Sequence, residues 1–126
     1  MKLSTLMIIK AVIVIFFGIG FILMPTTVMS LFGLTLNPGG ALITQLYGAS
    51  FILLGILMWS ARNASGSEAA LRAIVLAAFI GDTIGFIVAL IAQLAGVANA
   101  LGWLTVVLYL FLAMGFGYFQ FSKSNS

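Results

Sequence analysis

Apolar residues run along this chain in four long blocks, parted by short stretches where Pro, Gly, Asn, Ser and charged residues collect. The blocks fall at 6–24, 41–61, 73–95 and 101–121. Each is close to the roughly 20 residues that an α-helix needs to cross about 30 Å of hydrocarbon. The pattern predicts an all-α fold: one polytopic domain over 1–126, built as a bundle of four membrane helices.

The connections punctuate these blocks differently. The first, "PTTVMSLFGLTLNPGG", carries both prolines and the Gly39-Gly40 pair, which break helix at its two ends. Its centre, over 26–34, has the makings of a short amphipathic turn or helix at the membrane interface. The second, "RNASGSEAALR", is short and polar. There Ser65 or Ser67 is a candidate cap for the third span, and Glu68 suits that helix's positive N-terminal end. The third, "GVANALG", is short enough to make the last two spans a tight antiparallel hairpin.

Composition supports the bilayer as solvent. The chain is 63% hydrophobic and only 6% charged, against about 25% charged in ordinary soluble domains. Cysteine is absent, which excludes disulfides, thiolate nucleophiles, iron–sulfur clusters and Cys-based zinc sites. Histidine is absent too, removing the commonest metal ligand and the usual axial ligand of haem. No cofactor or metal is expected. Five basic residues spread along the chain form no patch for nucleic acid. The start, "MKLSTLMIIKAVIVIFFGIGFILM", has a signal-peptide flavour, but Lys10 interrupts its apolar run and no small-x-small cleavage site precedes Pro25. It reads as a retained first span.

Charge also predicts orientation. With four crossings, Lys2, Lys10, Arg62, Arg72 and Lys123 all fall on one side, and the opposite connections carry no charge. By the positive-inside rule both termini are cytoplasmic, in a bacterial-type inner membrane. Trp59 and Trp103, near span ends, suit the aromatic belts of the two interfaces.

Helices in lipid associate through small residues and buried hydrogen bonds. The third span carries a ridge of them at every fourth position: Ala73, Ala77, Gly81, Gly85 and Ala89. The expected packing partner is a helix of the same chain, with a second copy as the alternative. The second span has a stripe of Ala41, Gln45, Gly48, Ile52, Gly55 and Trp59, in which Gln45 can hydrogen-bond across an interface. The first span offers Ala11 and Gly18, and the fourth Ala113 and Gly117. Phe16, Phe17, Phe21 and Phe111 face lipid or fill the core, with cofactor stacking as a lesser option. The segments "LYGASFILLG" and "LYLFLAMGFG" share a Leu-Tyr start and a late glycine. An interfacial aromatic and a small packing residue would produce that much by chance.

Two charges lie within the spans. Asp82 is ten positions beyond Arg72, about 15 Å deeper along a helix and near the midplane. Beyond Lys10 the apolar run covers only 11–24, about 21 Å, so either Lys10 is submerged or the helix continues past Pro25. One reading lets the lysine snorkel to the headgroups. The other pairs it with Asp82. Asp82 itself has three readings: a paired or protonated acid anchoring the bundle, with Thr83 or Gln45 as candidate partners; a proton or cation site; or a contact to another membrane subunit or a lipophilic ligand. No second acid lies in any span, and no broken-helix pair of the transporter kind is present. The structural and ligand-contact readings are therefore preferred to transport. Lys10, Thr44, Gln45, Ser50, Asp82, Thr83, Gln93 and Thr105 show no recognisable catalytic spacing, so no catalytic residue is assigned and enzyme activity is not indicated.

At "PTTVMSLFGLTLNPGGALITQLYGASFILLGILMWSAR" and "DTIGFIVALIAQLAGVANALGW" the chain resembles small bacterial four-helix membrane proteins of the DoxX-like type, many of them known only as domains of unknown function. The likeness lies in a Pro-ended first span, a Phe-Gly turn, a Leu-Tyr-Gly start to the second span and an Asn-x-x-Gly-Trp start to the fourth. It implies a four-helix membrane fold and, for some members, association with quinone-linked sulfur redox complexes. It implies no active-site residue here.

Together these readings predict a non-catalytic accessory or stabilising subunit of a membrane complex, with Asp82 as an internal polar anchor. The alternative is a small transporter or permeation protein using Asp82 and Lys10. The resemblance adds a third possibility, a quinone- or lipid-interacting redox accessory. The partners would be the bilayer and other membrane subunits or a second copy, and not nucleic acid.

Overall fold

The computed structural model describes residues 1–63 and 68–122. Five helices account for almost all of them: α1 (Leu3–Leu23), α2 (Pro25–Leu31), α3 (Pro38–Ala61), α4 (Glu68–Leu94) and α5 (Gly102–Phe121). Four are long and apolar enough to cross a membrane. The fifth, α2, occupies the centre of the first connection.

Local chemistry explains the boundaries. Met24, at φ −141° and ψ 61°, breaks α1. Pro25 then opens α2 at its first turn, where a fixed φ is favourable and the missing N–H costs nothing. Gly33 ends α2 at φ +79°, and the Leu34 N–H bonds back to the Met29 carbonyl at 3.1 Å. Asn37 caps α3 by accepting the Gly40 N–H at 2.7 Å, with Pro38 just inside. The stretch "PGG", expected to lie outside the second span, therefore forms its first turn. Gly96, at φ +75°, closes α4 in the same left-handed manner. The third span starts at Glu68 rather than 73, and the caps expected at Ser65 or Ser67 lie outside the described residues.

The long helices associate as two antiparallel pairs. In the first, α1 and α3 cross where two glycines meet. A Cβ on Gly18 would sit 2.9 Å from the Gly48 carbonyl oxygen, and one on Gly48 2.8 Å from that of Gly18. Further along, Gly55 lies against Ile15. In the second pair, α4 and α5, Gly85 receives the ring of Tyr109 and Gly117 that of Phe79.

The pairs share an apolar core at one end. Leu6, Met7, Met58, Val75, Phe116 and Phe119 form a buried apolar cluster there, contributed by all four long helices. Leu6 also lies against Gly115. Lys2, Arg62 and Arg72 mark this end of the bundle, and the Arg62 guanidinium stacks 4.0 Å from the centre of the Trp59 ring while donating to the Trp59 carbonyl. Beyond the cluster the pairs diverge. Residues such as Phe16, Leu53, Ile84 and Val107 are exposed on the outside, on helices long and apolar enough to cross a membrane.

Candidate functional site: a cavity between the helix pairs

Where the pairs diverge they line a half-open cavity of about 660 Å³. On the first pair its wall is aromatic and aliphatic: Phe17 and Phe21 from α1, Phe51 and Leu54 from α3. Facing them, α4 presents Ala73, Ala77, Gly81 and Ala89. The ridge expected to seat a partner helix therefore mostly borders empty space. Of its two glycines, Gly85 makes a close contact, against Tyr109 of α5, and around Gly81 nothing lies within 4 Å of where a Cβ would be. Small side chains here create volume instead of removing it.

Among the described residues, three polar bridges cross from one helix pair to the other. The deepest is Lys10 to Asp82. The lysine Nζ donates to Asp82 Oδ1 at 2.9 Å and to Oδ2 at 2.8 Å. Both residues are almost fully buried, 3% and 4% exposed, and both line the cavity. Lys10 does not snorkel. It lies about 10 Å from the start of α1 and Asp82 about 21 Å from the start of α4, so α4 begins about 11 Å further out than α1 where the two meet. The ammonium also sits 5.4 Å from the centre of the Phe116 ring.

The second bridge is between phenols. The hydroxyl oxygens of Tyr47 on α3 and Tyr109 on α5 are 2.6 Å apart. Tyr47 stacks on Phe21, ring centroids 5.6 Å apart, while Tyr109 is seated by Gly85, one helical turn from Asp82. These are the tyrosines of the two Leu-Tyr segments. Their similarity reads as chance in the sequence, and only the fold shows that the two residues meet.

The third bridge closes the far end. The Asn99 N–H donates to the Phe32 carbonyl at 2.9 Å and its Nδ2 to the Leu31 carbonyl at 3.0 Å. The turn after α2 is thereby tied to the connection before α5, and Phe32, Val97 and Ala98 cover the cavity beneath it. Gln93 supports the strap by donating to the Asn99 carbonyl at 2.9 Å.

The remaining candidates serve locally. Gln45 donates to the Ile22 carbonyl at 3.1 Å, an acceptor freed by the helix break at Met24. That bond ties α3 to α1 and does not reach Asp82. Thr44 and Ser50 bond back to the carbonyls of Gly40 and Leu46. Thr83 follows Asp82 in the chain but does not line the cavity, whereas Thr105 does. Gly48 and Gly55 seat α1, as described. Among the described residues no group of three His, Cys, Asp or Glu side chains comes together. No buried side-chain nitrogen or oxygen there lacks a hydrogen-bond partner.

Fold and site define a class: an all-helical protein with four candidate membrane spans, arranged as two helix pairs around an apolar cavity with an ion pair in its wall. No family model matches the chain, and neither does any curated protein or solved structure.

Proposed function

We propose that this chain is a multi-pass protein of a bacterial-type inner membrane, both termini cytoplasmic, that holds a lipophilic small molecule between its helix pairs. The cavity carries the reading. Its volume, about 660 Å³, lies within the roughly 300–1,000 Å³ usual for ligand pockets, and it combines apolar walls with a few polar groups as such sites do. Helix interiors otherwise pack to crystal-like density. A void of this size forfeits dispersion contacts that an apolar occupant restores.

The accessory role expected from the sequence narrows, on this reading, to carrying or presenting that molecule to the bilayer or to a partner subunit. We extend the proposal to kinship with DoxX-like proteins, on the turn and packing residues quoted above. Transport through Asp82 has less support, because Lys10 engages both carboxylate oxygens.

Native mass spectrometry of the protein released from lipid nanodiscs tests the reading. A small lipophilic adduct should accompany the wild type and be lost in Gly81→Leu, whose side chain has room to enter the cavity. Equal adduct on both proteins, or none on the wild type, would refute it.

A further inference from the structure

We propose that the occupant is an uncharged lipophilic molecule whose head is an oxygen function, a hydroxyl or a carbonyl, and that the mutually neutralised Lys10–Asp82 pair offers acids and amines no counter-charge. The inference rests on the ligand-binding reading above and specifies the ligand's chemistry.

Charge balance is the first ground. Lys10 and Asp82 are the cavity's two formal charges. The ammonium meets both carboxylate oxygens at hydrogen-bond distance, so the two neutralise each other. An ionised head placed among these apolar walls would bring a third charge with no counter-charge, and an uncompensated buried charge is strongly unfavourable. A neutral head avoids that cost.

Donor counting is the second ground. Two phenols hold two protons, and the Tyr47–Tyr109 hydrogen bond uses one. Among the described residues the other has no acceptor, and both tyrosines border the cavity. Lys10 likewise has three N–H groups and two hydrogen bonds. Proton donors are thus left over on the wall around an otherwise hydrocarbon space. A neutral oxygen head satisfies them while its chain lies against Phe17, Phe51, Leu54 and the Gly81 groove.

Matched photoreactive alkyl diazirines ending in a methyl ester, a hydroxyl, a carboxylate or an ammonium test this, each mixed separately with protein in nanodiscs of zwitterionic lipid. Crosslinked residues are then mapped by mass spectrometry. Ester and alcohol probes should label cavity-lining residues roughly tenfold more than acid or amine at equal bilayer concentration, one decade corresponding to about 1.4 kcal/mol. Asp82→Asn leaves Lys10 unopposed and should turn the preference towards the carboxylate. Lys10→Gln should turn it towards the ammonium. If either single variant fails to fold, the charge-free pair Lys10→Met with Asp82→Leu, which offers no counter-charge either, should keep the wild-type preference for neutral probes, while Tyr47→Phe combined with Tyr109→Phe, which removes the spare phenol proton, weakens alcohol and ester labelling alike.

Equal wild-type labelling by the carboxylate probe would overturn the inference yet leave the cavity a binding site. Labelling confined to outward residues such as Phe16 and Leu53, with every probe, would instead defeat the ligand-binding reading itself.

Discussion

Lys10 and Asp82, 72 positions apart in the chain, hold the two helix pairs together through a doubly hydrogen-bonded ion pair set in the cavity wall. Removing one partner leaves a buried charge stranded, while removing both leaves none. Asp82→Asn and Lys10→Met should each cost about 3–5 kcal/mol of stability, and Lys10→Met combined with Asp82→Leu far less than their sum. Thermal unfolding of detergent-solubilised protein measures this, and additive losses would show that the pair is not coupled.

The glycines of α4 make opposite demands although they are one turn apart. A side chain at Gly85 runs into the Tyr109 ring, whereas at Gly81 it enters open space. Gly85→Leu should destabilise by about 1–3 kcal/mol, the usual range for overpacking, and Gly81→Leu should be neutral or stabilising. Unfolding midpoints of the two variants decide it. A larger loss at Gly81 would mean the cavity is not open there.

Tyr47→Phe and Tyr109→Phe should each loosen the middle of the seam. Side-chain hydrogen bonds between membrane helices are worth about 0.6 kcal/mol on average in double-mutant cycles. The coupling energy of the two substitutions should be of that order, read from a four-protein cycle, and zero coupling would rule out the 2.6 Å contact.

Gly33 and Gly96 share a left-handed backbone, φ +79° and +75°. They differ in surroundings: a Cβ at Gly33 would lie 3.1 Å from the Asn99 Cβ, and at Gly96 it meets nothing within 4 Å. Alanine at either position pays for the φ, about 1 kcal/mol. Only Gly33→Ala should also raise amide exchange in the turn tied to Asn99. Equal exchange in the two variants would argue that the strap does not hold that turn.

Because the chain has no native cysteine, single cysteines report topology without background. Lys2→Cys and Asn63→Cys should react with a membrane-impermeant maleimide only from the cytoplasmic side, and Val97→Cys only from the other. Labelling of all three from one side would refute the four-crossing arrangement.

The hydrophobic pattern by itself determined the helical class, the number of long helices and their limits to within a few residues. Burial of backbone amides in hydrocarbon allows few other solutions, and Pro and Gly punctuate the helices locally. The chain alone also drew attention to Asp82, since an acid in an apolar run is unusual wherever that run ends up. Tertiary structure decided what these residues face. Lys10 could snorkel or pair until the packing of α1 against α4 set Asp82 opposite it. The ridge of Ala77, Gly81, Gly85 and Ala89 could seat a helix or border a void. Small side chains permit either, and the separation of the two helix pairs selects the void. Tyr47 and Tyr109 carry no local sign of their meeting, because spacing along a helix sets which face a residue occupies, while only packing sets what lies opposite.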